Sequence, residues 1–224
     1  MSLQAKLDAF KADFEAGKPP YSVPSWVIET MHLATTELIV SGAADRALKI
    51  GDQAPNFTLN DPNGVAAASA DLLAQGPLVV SFYRGVWRPY CNMDLQALEQ
   101  ALPEIERRGG RLVAISPQTP ANSRRSVRQN ALSFPILSDP SNNVAAAFGL
   151  RFELPDYLVE LYKALNNNLP NFNGDASWTL PMPARYVIAP DRTILYAEVN
   201  PDYTRRPEPE DMLPAIEEAA AIVA

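Results

Sequence analysis

Three short apolar, β-rich runs constrain the fold of this chain more than any other feature: PLVVSFYR (77–84), RLVAISPQ (111–118) and FPILSD (134–139). Each reads as a buried strand. Between the first two the period changes: Leu95, Leu98, Leu102 and Ile105 fall on one helical face, which predicts a helix beginning near Cys91. The segment from Pro120 to Leu132 reads as a second helix, and NVAAAFGL (143–150) as a short one closed near Gly149. ARYVIAP (184–190) and TILYAEV (193–199), divided by Asp191-Arg192, read as a closing antiparallel hairpin. Strands alternating with helices and then a hairpin predict an α/β fold with a central mixed sheet flanked by helices.

The ends carry additions. Leu3, Leu7, Phe10 and Phe14 recur at helical spacing until Gly17 and Pro19-Pro20 interrupt, and a second helix is expected from Ser25 to about Leu48. Residues 1–49 therefore read as an N-terminal helical extension that docks on the main domain or on another subunit. KIGDQAPNFTLNDPNG reads as a loop, a short strand at Phe57 to Leu59 and a turn at Asn63-Gly64. A final helix is expected over Pro209 to Val223, with a kink or register break at Pro214. Residues 50–224 form the expected main domain, interrupted at about 154–182 by an insertion. The first half of that insertion is an amphipathic helix and its second half an Asn-rich loop, placed to cover a site or to serve as surface elaboration.

With 224 residues and 47% hydrophobic content the chain has enough apolar material for a real core. A net charge of −7 argues against nucleic acid or an anionic membrane as a partner, because either would be repelled on average. The N-terminus carries charges every few residues and reads as neither a signal peptide nor a membrane span. One cysteine excludes an intramolecular disulfide and suits a reducing compartment. A cytoplasmic location is expected.

That cysteine, Cys91, ends the stretch FYRGVWRPYC. In the first turn of a helix it faces backbone N–H groups and the positive end of the helix dipole, which favour thiolate over thiol. Arg84 and Arg88 add positive charge if the loop folds back. A thiolate attacking an O–O bond becomes a sulfenic acid, and the same donors stabilise the leaving oxygen. The competing reading is a small buried hydrophobe. Trp87 and Tyr90 are expected to pack around the sulfur, and His32 to be solvated or packed. No His, Cys or carboxylate cluster has metal-ligand spacing and no phosphate loop is present, so neither a metal nor a cofactor is expected.

SFYRGVWRPYCNMDLQALEQ, with GDQAPNFTL upstream and AISPQ, SDPSNNVAAAFGL and PMPARYVIAPD downstream, resembles the peroxiredoxin-like (alkyl hydroperoxide reductase/thiol-specific antioxidant) proteins of the thioredoxin superfamily. The resemblance runs in consistent order from Ile50 to Val199, with DYTRRPEPEDML similar to the tail of the bacterial branch. It implies a thioredoxin-like fold. In the family pattern P-x-x-x-T-x-x-C, Cys91 takes the peroxidatic position, with Arg84 where the proline belongs and Arg88 where the threonine belongs. In the related W-C-x-x-C pattern, Trp87 and Cys91 match and Arg88 replaces the first cysteine. Asp94 matches a family acidic position. Arg185 is one match for the family's strand arginine, while a second register places Pro183 as a cis-proline facing the sulfur and leaves the reach of Arg185 toward Cys91 open.

The resemblance implies a one-cysteine peroxidase that reduces hydrogen peroxide or organic hydroperoxides and is restored by an external thiol or a thioredoxin-like reductant. Two alternatives stand beside it: a redox-inactive binding or scaffold module, and a single-cysteine thiol-disulfide oxidoreductase. The N-terminal helices leave a homodimer open.

Overall fold

The computed structural model describes residues 1–222. In chain order its elements are α1 (Leu3–Glu15), α2 (Ser25–Val40), β1 (Thr58–Asn60), β2 (Ala66–Ala68), α3 (Ser69–Leu73), β3 (Leu78–Phe82) and α4 (Pro89–Arg107). There follow β4 (Arg111–Ser116), α5 (Pro120–Asn130), β5 (Ile136–Ser138), α6 (Asn143–Ala147), β6 (Arg151–Glu153), α7 (Asp156–Ala164) and α8 (Leu169–Asn173). The chain closes with β7 (Thr179–Pro181), β8 (Ala184–Ile188), β9 (Ile194–Val199) and α9 (Leu213–Ala221).

Seven strands form one mixed sheet in the order β2-β1-β5-β4-β3-β8-β9. The three runs that dominate the sequence lie together in it, β3 and β5 parallel to β4 on either side. The hairpin β8-β9 adds on antiparallel to β3. Successive side chains of a strand alternate between faces, so Leu78, Val80 and Phe82 join one core with Phe148 and Tyr186. Val79 and Tyr83 join the other, with Cys91, Leu95, Leu98 and Ile105 of α4. Burying one such leucine contributes about 1.5–3 kcal/mol. This second core holds the sulfur.

Several sequence expectations shift. The second helix ends at Val40 rather than near Leu48, because Gly42 adopts φ +66° and the chain tightens into a 3₁₀ turn over Ala43–Arg46. The first strand moves one residue, to Thr58–Asn60, and pairs with an additional short strand, β2. The second half of the 154–182 stretch is more than loop: it carries α8 and also β7, which pairs with β6. The C-terminal helix begins as a 3₁₀ turn, Pro209–Met212, and becomes α9 at Leu213, with Pro214 in its first turn, where a missing N–H costs nothing. Val223, the expected end of that helix, lies outside the described residues.

The N-terminal helices dock on their own chain. Leu3 and Leu7 of α1 pack against Tyr90, with Phe10, Met93 and Tyr203 around them. Val27 of α2 is buried with Leu158, Leu161 and Tyr162 of α7. Among the described residues no helix is long and apolar enough to cross a membrane.

Candidate active site around Cys91

Cys91 sits in the first turn of α4, whose N-cap is Arg88 and whose first residue is Pro89. The sulfur is wholly buried. Proline supplies no N–H, and the amide of Cys91 itself donates to the Arg88 carbonyl at 3.0 Å. The hydrogen bond to the sulfur comes from a side chain: Arg206 donates from Nη2 to Cys91 Sγ at 3.6 Å.

Arg206 is placed from three sides. Its Nε lies 3.3 Å from Asp94 Oδ2, within ion-pairing distance though not aligned for a hydrogen bond. Its Nη1 donates to the Tyr203 carbonyl at 2.7 Å, and its backbone N–H donates to Gln4 Oε1 of α1 at 3.0 Å. Asp94 stands one helical turn after Cys91, on the same face. Its other oxygen, Oδ1, accepts from Arg185 Nη2 at 2.6 Å. Arg185 lies on β8 opposite Ser81 of β3 and shares the sheet face of Val187, the face covered by α4. The result is a buried relay Arg185–Asp94–Arg206–Cys91.

Arg84 and Arg88 are also buried, at 3% and 6% exposure. Arg84 donates from Nε to the Pro181 carbonyl at 3.3 Å and lies over the rings of Phe152 and Tyr203. Burial, reinforced by the neighbouring Arg88 charge, lowers its pKa to about 10. Arg88 stacks 3.8 Å above the Tyr203 ring, with Trp87 and Tyr162 nearby. Burial works against its charge, but Tyr162, Tyr203 and Cys91 outweigh that and hold it above its ordinary value. Neither arginine hydrogen-bonds the sulfur, yet both lie close enough for the charge of Cys91 to act on theirs.

The loop that carries them is pinned by buried amides. Gln118 Oε1 accepts the Val86 N–H at 2.7 Å while its Nε2 donates to the Tyr83 hydroxyl at 3.0 Å. Asn92 Nδ2 donates to the Val86 carbonyl at 2.8 Å. Gly85 adopts φ +152°, and a Cβ there would fall 2.4 Å from Trp87 Nε1. Only glycine allows that approach. Burial pushes the Tyr83 hydroxyl up to about 12, so it remains a neutral partner in this network.

Of the residues singled out in the sequence, Cys91, Arg84, Arg88, Trp87, Tyr90, Asp94 and Arg185 gather around one helix start. Pro183 differs from its expectation. Among the described residues the cis peptide is Pro19-Pro20, so the bond before Pro183 is trans, and Pro183 serves as an acceptor, through its carbonyl, for the Asn200 N–H. Arg185 reaches the sulfur only through Asp94 and Arg206. Tyr90 packs under α1, its ring edge-on to Phe10 and Tyr203, and Trp87 meets Tyr162 and Phe172 of the 154–182 stretch. His32 is exposed and pairs with Glu15 at 2.6 Å. Arg206 and Gln118 were missed. The sequence does hold a trace of each: the tandem Arg205-Arg206 in a proline-rich stretch, and a glutamine two residues past the end of a strand rather than in a polar loop.

A family sequence profile decides what this arrangement belongs to: the one described as AhpC/TSA matches residues 50–197, most of the chain. The chain belongs to the AhpC/TSA family. Its fold agrees with that of solved relatives: the AhpC/TSA chain superposes on the peroxidoxin BcpB of Mycobacterium tuberculosis with a TM-score of 0.59 at 23% identity, over 77% of this chain and 97% of that one. This is the thioredoxin-like fold of a peroxiredoxin-like protein. Among curated sequences it is 33% identical over 110 residues to thiol-disulfide oxidoreductase ResA of Halalkalibacterium halodurans, covering 48% of this chain and 61% of that one. It is 32% identical over 103 residues to peroxiredoxin Bcp of Escherichia coli, covering 46% and 65%. The AhpC/TSA chain thus spans under two thirds of the length of these curated relatives.

Proposed function

We propose that this protein is a one-cysteine, thiol-dependent peroxidase acting through Cys91. The observation that carries the reading is the Arg206 guanidinium at 3.6 Å from the sulfur, itself tied to the buried Asp94–Arg185 pair. A merely structural buried cysteine needs no cation beside it, whereas a thiolate does, since an unpaired buried charge costs several kcal/mol. The names of the curated relatives point to two chemistries, peroxide reduction and dithiol exchange. The lone cysteine, aligned with the peroxidatic position and with Arg88 where a CxxC motif would carry its first cysteine, favours the former.

In the proposed reaction the Cys91 thiolate attacks the distal oxygen of a hydroperoxide ROOH. The S–O bond forms as the O–O bond breaks, Cys91 becomes a sulfenic acid, and RO⁻ leaves to take a proton as ROH. Arg206, with Arg84 and Arg88 behind it, stabilises the thiolate beforehand and the leaving oxygen during the step. Two external thiols complete the cycle. The first displaces water and forms a mixed disulfide with Cys91; the second releases the Cys91 thiol and carries both sulfurs away as an external disulfide. A reducing cytoplasm supplies such thiols, and we place the protein there. A homodimer is compatible with this cycle but not required by it.

The experiment is steady-state peroxide consumption with and without an added small thiol or thioredoxin-like reductant. Sustained turnover that depends on the thiol and vanishes in Cys91→Ser supports the reading. Consumption that is absent with every reductant would favour a redox-inactive module built on this fold.

A further inference from the structure

A cavity of about 500 Å³ opens between α1, α2 and the start of α4, within the roughly 300–1,000 Å³ in which small-molecule sites fall. Its apolar walls include Phe10, Phe14, Tyr21, Ile28, Met31 and Ile39, all from the N-terminal extension, ahead of the 50–197 stretch that carries the family match. Arg88 and Tyr203 also line it, and a narrower continuation past Met31 and Thr35 reaches Arg84. Cys91 is not among its lining residues.

The polar groups along this cavity divide in a telling way. Glu15 is engaged by His32, and Asp202 Oδ1 accepts from both the N–H and the hydroxyl of Thr204. Arg88, in contrast, is 6% exposed and its guanidinium has no hydrogen bond or ion pair among the described residues, with Nε fully buried and unpartnered. Stacking on Tyr203 orients it without satisfying its N–H groups. Among the described residues the neighbouring Arg84 has no carboxylate partner either, its Nε donating to the Pro181 carbonyl. A planar guanidinium with vacant donors at the end of an apolar chamber matches a carboxylate, which it can grip bidentately.

We infer that this cavity binds an amphipathic monocarboxylate, its head on Arg88 and its aliphatic or aryl body between α1 and α2. The pairing of Glu15 with His32 and Lys11, beside an Arg88 that has no partner among the described residues, favours an anionic over a cationic ligand, and the apolar walls disfavour a bare inorganic anion. This site shares Arg88 with the proposed peroxide chemistry but does not include Cys91, and its occupancy is read without any turnover.

Isothermal calorimetry on the full-length reduced protein tests it, with decanoate as the probe and 1-decanol and decylamine as the same chain without an anionic head. Decanoate is expected to saturate one site below about 1 mM, with 1-decanol and decylamine at least about tenfold weaker. Arg88→Gln is expected to lose at least about tenfold for decanoate while changing 1-decanol little. Thr35→Trp, which fills the chamber from α2, is expected to remove decanoate binding, and it decides the matter should Arg88→Gln fail to fold. Decanol binding as tightly as decanoate, decanoate binding unchanged in either folded variant, or no saturation below about 1 mM would each overturn the assignment.

Discussion

Arg206 and Cys91, 115 residues apart in sequence, meet at 3.6 Å inside the second core, with Asp94 holding the guanidinium on its far side. The guanidinium that hydrogen-bonds the sulfur is thus delivered by the segment that follows β9, not by the loop preceding α4. Replacing Arg206 by Leu removes the donor that the peroxidase reading places at the leaving oxygen. The rate of sulfenic acid formation is expected to fall by roughly 10²–10³-fold, as for loss of one oxyanion donor, with Arg206→Lys recovering part of it. Stopped-flow tryptophan fluorescence or timed mass spectrometry on the reduced protein measures this. A Leu variant reacting at the parental rate would remove Arg206 from the chemistry.

Asp94 is the carboxylate facing both Arg185 and Arg206, and all three are buried. Removing one partner of a buried ionic cluster leaves the others uncompensated, at a cost of about 3–5 kcal/mol. Asp94→Asn is therefore expected to lower unfolding free energy by about that amount in urea, whatever it does to activity. A loss under about 1 kcal/mol, the range of an exposed pair, would show that the cluster is satisfied some other way.

The first turn of α1 is tied to the segment that carries Arg206. Leu3 and Gln4 donate their backbone N–H groups to Glu208 at 2.8 and 2.9 Å, and Gln4 Oε1 accepts the Arg206 N–H. Burial disfavours the ionised Glu208, but the Gln4 and Leu3 donors outweigh it and hold its pKa below the ordinary 4.5. A carboxylate whose folded-state pKa is depressed adds stability that is fully present above the unfolded value and is lost as pH falls through the folded one. Hydrogen exchange of α1 amides, relative to β3 amides, is expected to accelerate as pH drops below the ordinary carboxylate range. Glu208→Gln should show that acceleration already at neutral pH and flatten the pH response. Equal protection of α1 in the parent and the variant would contradict this clasp.

The sheet and its flanking helices are legible in the sequence for a physical reason: β3, β4 and β5 are covered on both faces, so they appear as continuous apolar runs. Ile105 and the leucines of α4 mark a single buried stripe in the same direct way. Cys91 at a helix start follows from the change of period after the first run. Arg206 does not, because it lies in irregular chain, and the exposed Arg205 beside it carries the same chemistry; only packing separates the two. The trans bond before Pro183 and the Gln118 and Asn92 contacts that pin the Arg84–Arg88 loop depend likewise on tertiary fit. Short elements such as β2 and β7 escaped because their residues, Ala-Ala-Ala and Thr-Leu-Pro, carry little β signal.

The most direct measurement is the fate of several equivalents of peroxide mixed with the reduced protein in the absence of any other thiol. With a single cysteine in the chain, the peroxidase reading predicts rapid loss of one equivalent and then arrest. It also predicts one added oxygen at Cys91, trapped and mapped by mass spectrometry, and no loss in Cys91→Ser. Peroxide left unconsumed with Cys91 unmodified, or the same loss in the serine variant, would contradict it.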